Sequence, residues 1–386
     1  MSKKKNETEI NKPLDKKFGV YDASAVFIGA YIVMLLLQFL FYVVLTITDV
    51  PVGGEDGFDQ TPAYACITLA INEAAFLAAP FLYSKIRGRK MWTECGFSGK
   101  VSPLYLLLSA LIGLAALFAF SPVATLVNSG FSALGFSSST VPSAENAGTF
   151  IAYVFMSAII PALCEEFLFR GHVARGFAGK GYLSGLLLSS LLFAVMHGSP
   201  VQLVYQFFVG AVACWLYFVT RSLWTSVIAH FISNFAVLVA DFALTSAGVD
   251  YITISGKVAG IYVASTIGGI ALLVGLCYLL YRLVSRARGL EEELKGIKGA
   301  SPKAWDRRLT LLAQSDEMRV KRIQEEQFRR AQIENAATPE IKEMLIQRFE
   351  SEDKKDDKKD NKGLILCFAI TGVIFILNTV LGFVPQ

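Results

Sequence analysis

Nine stretches of about 20 apolar residues dominate this chain, near 23–48, 63–83, 104–128, 149–170, 182–198, 201–220, 223–244, 257–283 and 364–383. A hydrocarbon core about 30 Å thick takes roughly 20 such residues per helical span. In lipid the backbone must satisfy its own hydrogen bonds, which leaves helices or closed barrels. Strand-type alternation is absent, so a barrel is disfavoured. With 54% hydrophobic residues and a mean hydropathy of +0.49, the chain is too apolar for the ordinary soluble class. The expected fold class is all-α: a polytopic integral membrane helix bundle of about nine transmembrane helices, the fifth being the shortest.

Lysine and arginine sort by loop. They crowd the N-terminal tail (Lys3, Lys4, Lys5, Lys12, Lys16, Lys17) and the connection after the second span (Lys85, Arg87, Arg89, Lys90). They recur after the fourth (Arg170, Arg175, Lys180), sixth (Arg221) and eighth spans (Arg282, Arg286, Arg288). Segments 49–62 and 129–148 hold none, and the first carries Asp49, Glu55, Asp56 and Asp59. The positive-inside rule then puts the N-terminus in the cytoplasm of a multi-pass cell-membrane protein, with the short C-terminus outside. The net charge of +4 follows from this asymmetry and gives no sign of nucleic-acid binding. The first apolar run is too long for a signal-peptide core and reads as a signal anchor. Six scattered cysteines without CxxC spacing read as buried apolar residues.

The organisation expected is a tail over 1–22, an eight-helix membrane domain over 23–283, a charged cytoplasmic segment over 284–363 and a last span over 364–386. Within the charged segment, 304–335 reads as helix. The run Ser351–Lys362 is low-complexity and is expected to be disordered. The segment reads as a solvated tether for the last span, with a docking or regulatory insert as the alternative.

Ionisable groups inside a membrane are kept mainly where they meet one another or line a water-filled cavity. All three histidines, His172, His197 and His230, fall within 66 residues that also contain Glu165, Glu166 and Arg170. Glu166 and Arg170 are i,i+4 neighbours and can pair on one helix face. Glu165 is rotated about 100° away, free to face a cavity as a general base. His197 lies in a span with no other ionisable residue. His230 and Asn234 are again i,i+4, placing two donors on one face as in an oxyanion hole.

Glu-Glu-x-x-x-Arg at 165–170, Phe-x-x-x-His at 193–197 and His-x-x-x-Asn at 230–234, in that order on adjacent spans, resemble the CPBP family. That family comprises the type II CAAX prenyl proteases (Rce1-like) and the bacteriocin-processing or immunity (Abi) proteins. The surrounding words fit too, at 166–171, 191–197 and 220–230. The resemblance covers about 150–235. It implies an intramembrane endopeptidase acting on a membrane-associated peptide or lipidated protein, with no cofactor. It implies Glu165 as base, His197 as a holder of water, His230 and Asn234 as the oxyanion site, and Glu166 and Arg170 as supports. His172 matches no motif and reads as a loop residue.

Other readings use the same residues. His197, His230 and a glutamate could bind zinc as a membrane metalloprotease, although His-Glu-x-x-His is absent and Asn234 is a poor ligand. A transporter could recruit Asn72, Glu73 and Asp241, which otherwise read as helix-packing and interfacial contacts. A non-catalytic immunity protein could keep the fold. Drawn as straight spans, Glu165 near one membrane face and His197 near the other stand about 15–20 Å apart. A shared site requires a fifth helix that starts deeper, tilts or breaks.

Overall fold

The computed structural model describes residues 18–53, 57–88, 95–97, 100–136, 141–248, 259–314, 316–336 and 338–383, the side chains of 316–323 excepted. The N-terminal lysines, Glu55, Asp56, Arg89 and Lys90 lie outside these. Among the described residues the chain is helical throughout, without strands. Eight helices are long and apolar enough to cross a membrane: α1 (Val20–Ile47), α2 (Pro62–Ile86), α3 (Pro103–Ala133), α4 (Ala147–Lys180), α6 (Pro200–Thr220), α7 (Leu223–Ser246), α8 (Ala259–Ala287) and α12 (Pro339–Leu381). The short apolar helix α5 (Tyr182–Met196) sits between α4 and α6. The chain is a multi-pass membrane protein. On the spanning helices, large apolar residues such as Leu36, Phe39 and Leu40 on α1 or Ile267 and Val274 on α8 face outward, as lipid permits and water does not.

Helix starts follow local chemistry. Pro62, Pro103, Pro200 and Pro339 open their helices, where the missing N–H costs nothing. Thr61 and Thr338 cap α2 and α12 through their side chains. Between helices, small residues allow close approach. A Cβ at Gly185 of α5 would lie 2.8 Å from the Ala174 carbonyl oxygen of α4, so glycine there lets α5 fold back flat against α4.

Helix α4 differs most from expectation. The fourth span is drawn from the sequence to end near 170, but the helix continues to Lys180. It contains two π-helical turns, Val154–Ile159 and Phe169–Ala174, on either side of Glu165 and Glu166, the second including Arg170. Such turns redirect backbone carbonyls, and neighbours take them up. Asn234 of α7 donates to Ser157 O at 3.0 Å, and Ser189 Oγ of α5 donates to Phe169 O at 3.2 Å.

The charged segment is only partly a tether. It forms α9 (Glu291–Gly296), α10 (Pro302–Ala313) and α11 (Asp316–Glu334) before α12. Helix α10 is docked: Leu309 and Leu312 are buried, and Arg221 Nε and Arg288 Nη1 donate to Leu312 O at 2.6 and 2.7 Å. Asp306 accepts from the Leu183 N–H at 2.9 Å, capping the first turn of α5. The run 351–362, expected to be disordered, is helical and continuous with the last span. Its ladder of ion pairs explains the difference: Arg348 pairs with Glu352 at 3.0 Å, Lys354 with Glu350 at 3.8 Å, and Arg329 of α11 with Asp353 at 3.2 Å. Lys180 pairs with Asp357, and the Tyr21 N–H donates to Asp360 at 3.0 Å, tying this helix to α4 and α1.

Candidate active site

Glu165 and Glu166 sit in the stretch of α4 between the two π-turns, and every residue from Cys164 to Ala174 is buried. Arg170 Nη1 donates to Glu166 Oε1 at 2.7 Å, and its Nη2 donates to the Gly210 carbonyl of α6 at 2.9 Å. The guanidinium lies 4.6 Å over the Phe193 ring of α5, a cation–π contact that further offsets its burial. Arg170 thus binds α4 to α5 and α6.

His230 of α7 completes the pair. Its Nδ1 lies 2.9 Å from Glu166 Oε1, and its Nε2 lies 3.9 Å from Glu165 Oε2. A carboxylate oxygen already shared with Arg170 only accepts, so Nδ1 carries the proton and donates to it. The Nε2 edge is left facing Glu165.

His197 lies at the end of α5, where Gly198 turns the chain in the left-handed region (φ 67°) and Pro200 starts α6. Its Nδ1 is 2.7 Å from the Phe193 carbonyl oxygen. A carbonyl is an acceptor, so the neutral ring has Nδ1–H and keeps Nε2 as an acceptor, the state suited to hold a water O–H. His197 interacts electrostatically with both Glu165 and His230. The Phe193 ring touches both histidines, 4.9 Å from His197 and 6.0 Å from His230.

The apparent separation of Glu165 and His197 disappears for a simple reason. Glu165 lies fifteen residues before Lys180, and His197 lies fifteen residues after Tyr182. The turn at Gly181 therefore carries both to the same depth, about 22 Å from the basic end of the bundle. The extra length of α4 and the break at Gly198 do this together.

Asn234 follows His230 by one turn of α7. One amide hydrogen goes to Ser157 O, which fixes the side chain, and the second N–H is available as a donor. His172, expected in a loop, is instead fully buried in the second π-turn. Its Nδ1 is 2.8 Å from Phe167 O, and its ring packs on Phe167 and Phe18. The loop reading fails because α4 does not stop at 170. Asp241 accepts from Ser143 Oγ at 3.1 Å in an exposed contact toward the other end of α7 and does not join the cluster.

Glu73 of α2 does join it. Only 3% exposed, it reaches the Glu165 carboxyl at hydrogen-bond range. An acidic residue deep in the second span without a partner in its own helix was the signal for this contact. Among the described residues, no three His, Cys, Asp or Glu side chains are grouped as a metal-binding set.

Residues 147–236 match the family model for Rce1-like type II CAAX prenyl endopeptidases. The chain carries an Rce1-like domain. That domain spans α4 to the middle of α7 and contains every motif residue described above, while α1 to α3, α8 and the charged segment lie outside it. Comparison with curated proteins and with solved structures gives no match.

Proposed function

We propose that the chain is an intramembrane endopeptidase that hydrolyses a peptide bond of a membrane-associated peptide or lipidated protein. The observation that carries this reading is the meeting of Glu165, His197 and His230 at one depth inside an Rce1-like domain. Water held by His197 Nε2 gives a proton to Glu165 as its oxygen attacks the carbonyl carbon. The oxyanion accepts from Asn234 Nδ2–H and from protonated His230 Nε2–H. Glu166, hydrogen-bonded to His230 Nδ1, stabilises that imidazolium as the carboxylate of a triad does. Collapse breaks the C–N bond, Glu165 returns its proton to the leaving amine, and the resulting carboxylic acid passes its proton to that amine, leaving a carboxylate and an ammonium. Glu166 and Arg170 support the site rather than touch the substrate. No metal enters this scheme. The basic ends of the helices and the charged segment lie on the cytoplasmic side in this reading.

The test is cleavage of a membrane-presented peptide by purified protein in lipid vesicles. Wild type is expected to cleave it in the presence of a strong chelator, and Glu165→Ala and His230→Ala are expected not to. Equal product from all three would contradict an enzyme and favour a transport or immunity role. Inactivation by chelator that zinc reverses would instead favour the metalloprotease.

A further inference from the structure

The Rce1-like domain ends at residue 147 on its N-terminal side, yet α2, outside it, delivers a carboxyl group to the proposed base. Glu73 is buried beside Ala75 and Phe76 and within hydrogen-bond range of Glu165. Its Oε2 is fully enclosed with no donor, and among the described residues it forms no ion pair. Two carboxylates at this range in a bundle interior cannot both be ionised, so they hold one proton between them. Glu165 has His230 Nε2 at 3.9 Å as a basic neighbour. Glu73 has no such neighbour, so the proton sits on Glu73.

We propose that Glu73 is a positioning residue for the base: a neutral carboxyl whose O–H donates to the Glu165 carboxylate and fixes its rotamer toward His197 and His230. This rests on Glu165 being the base. The proton leaves no uncompensated charge on the enclosed Glu73 carboxyl. It also moves the interior toward balance. Three carboxyl groups (Glu73, Glu165, Glu166) face one guanidinium (Arg170), and a proton on Glu73 reduces that excess of negative charge. During the reaction Glu165 gains the water proton and later gives it to the amine, while Glu73 keeps its own.

The groups around the pair are Cys164, Glu166 and Arg170 on α4, His197 on α5 and His230 on α7. On the α1 side, Gln38 donates to Asn72, the neighbour of Glu73, at 2.7 Å. Glu73→Leu removes the donor at similar size, and Glu73→Gln keeps an N–H donor. With protein in vesicles and a membrane-presented peptide, Glu73→Leu is expected to lower kcat by about 10- to 100-fold at unchanged KM. Glu73→Gln should restore kcat to within about threefold of wild type. Infrared spectroscopy of wild type at neutral pH should show a buried neutral-carboxyl carbonyl band that Glu73→Gln lacks. This readout also serves if Glu73→Leu does not fold. A Glu73→Leu enzyme with wild-type kcat, equal slowing by both variants, or a carboxyl band that survives Glu73→Gln would each overturn the inference. Full activity of Glu165→Ala would overturn the reading beneath it instead.

Discussion

The chemistry of the site turns on how single side chains are satisfied away from water. Glu166, fully buried, is held by Arg170 at 2.7 Å and by His230 at 2.9 Å. Removing the arginine leaves that carboxylate with an uncompensated charge, a change that costs about 3–5 kcal/mol in buried pairs. Arg170→Met is therefore expected to lower unfolding stability in detergent by roughly that amount, measured by thermal or denaturant unfolding. Glu166→Gln added to Arg170→Met should recover part of it. Part of this scale was legible in the sequence, because i,i+4 spacing alone puts Glu166 with Arg170. The His230–Glu166 bond was not, since nothing in either segment's spacing says that α7 packs against that face of α4. Glu73 was readable only as a helix-packing contact or as part of a transport route, because nothing in its own segment points to Glu165.

At the scale of elements, the hairpin of α4 and α5 sets the geometry. Gly185 permits the close packing of α5 on Ala174 and Ala178, and Asp306 caps the start of α5 from the docked α10. Gly185→Leu is expected to push α5 outward and lower kcat by about 100-fold through a shift of His197 on the order of 1 Å, with Glu165 and His230 intact. Cleavage assays paired with a folding check would measure this. Eight of the nine expected spans are long enough to cross because lipid demands long apolar stretches, and the fifth stretch forms the shorter helix α5. The ends of α4 were not readable from the sequence. Arg170 and His172 look like the start of a polar loop, and only their burial against Gly210, Phe193 and Phe167 shows that the helix carries on. Residues 351–362 were misjudged for a related reason: composition predicts disorder, but a helix anchored in the membrane at one end and salt-bridged along its length needs no core of its own.

For the whole molecule, the basic ends of α2, α4, α6 and α8 and the charged segment give the bundle a direction. Arg221 and Arg288 both bond Leu312 O, and Lys180 pairs with Asp357, so these ends are gathered at one pole. The proposed orientation predicts that Lys295→Cys, on that pole, is labelled by a membrane-impermeant thiol reagent only after permeabilisation. Asp59→Cys, in the loop before α2, should be labelled on intact cells, in a background where labelling of the six native cysteines is subtracted. The reverse pattern would invert the topology.

In the proposed mechanism Glu165 and His197, brought to one depth by the α4–α5 hairpin, act on one water. The most direct test is a double-mutant cycle on kcat for a membrane-presented peptide, with Glu165→Gln, His197→Ala and the two combined. Groups that act as a unit are strongly non-additive. Each single change is expected to lower kcat by about 10²- to 10⁴-fold, and the double mutant should be little slower than the slower single. Losses that multiply in the double mutant, or a Glu165→Gln enzyme that cleaves at the wild-type rate, would contradict the account.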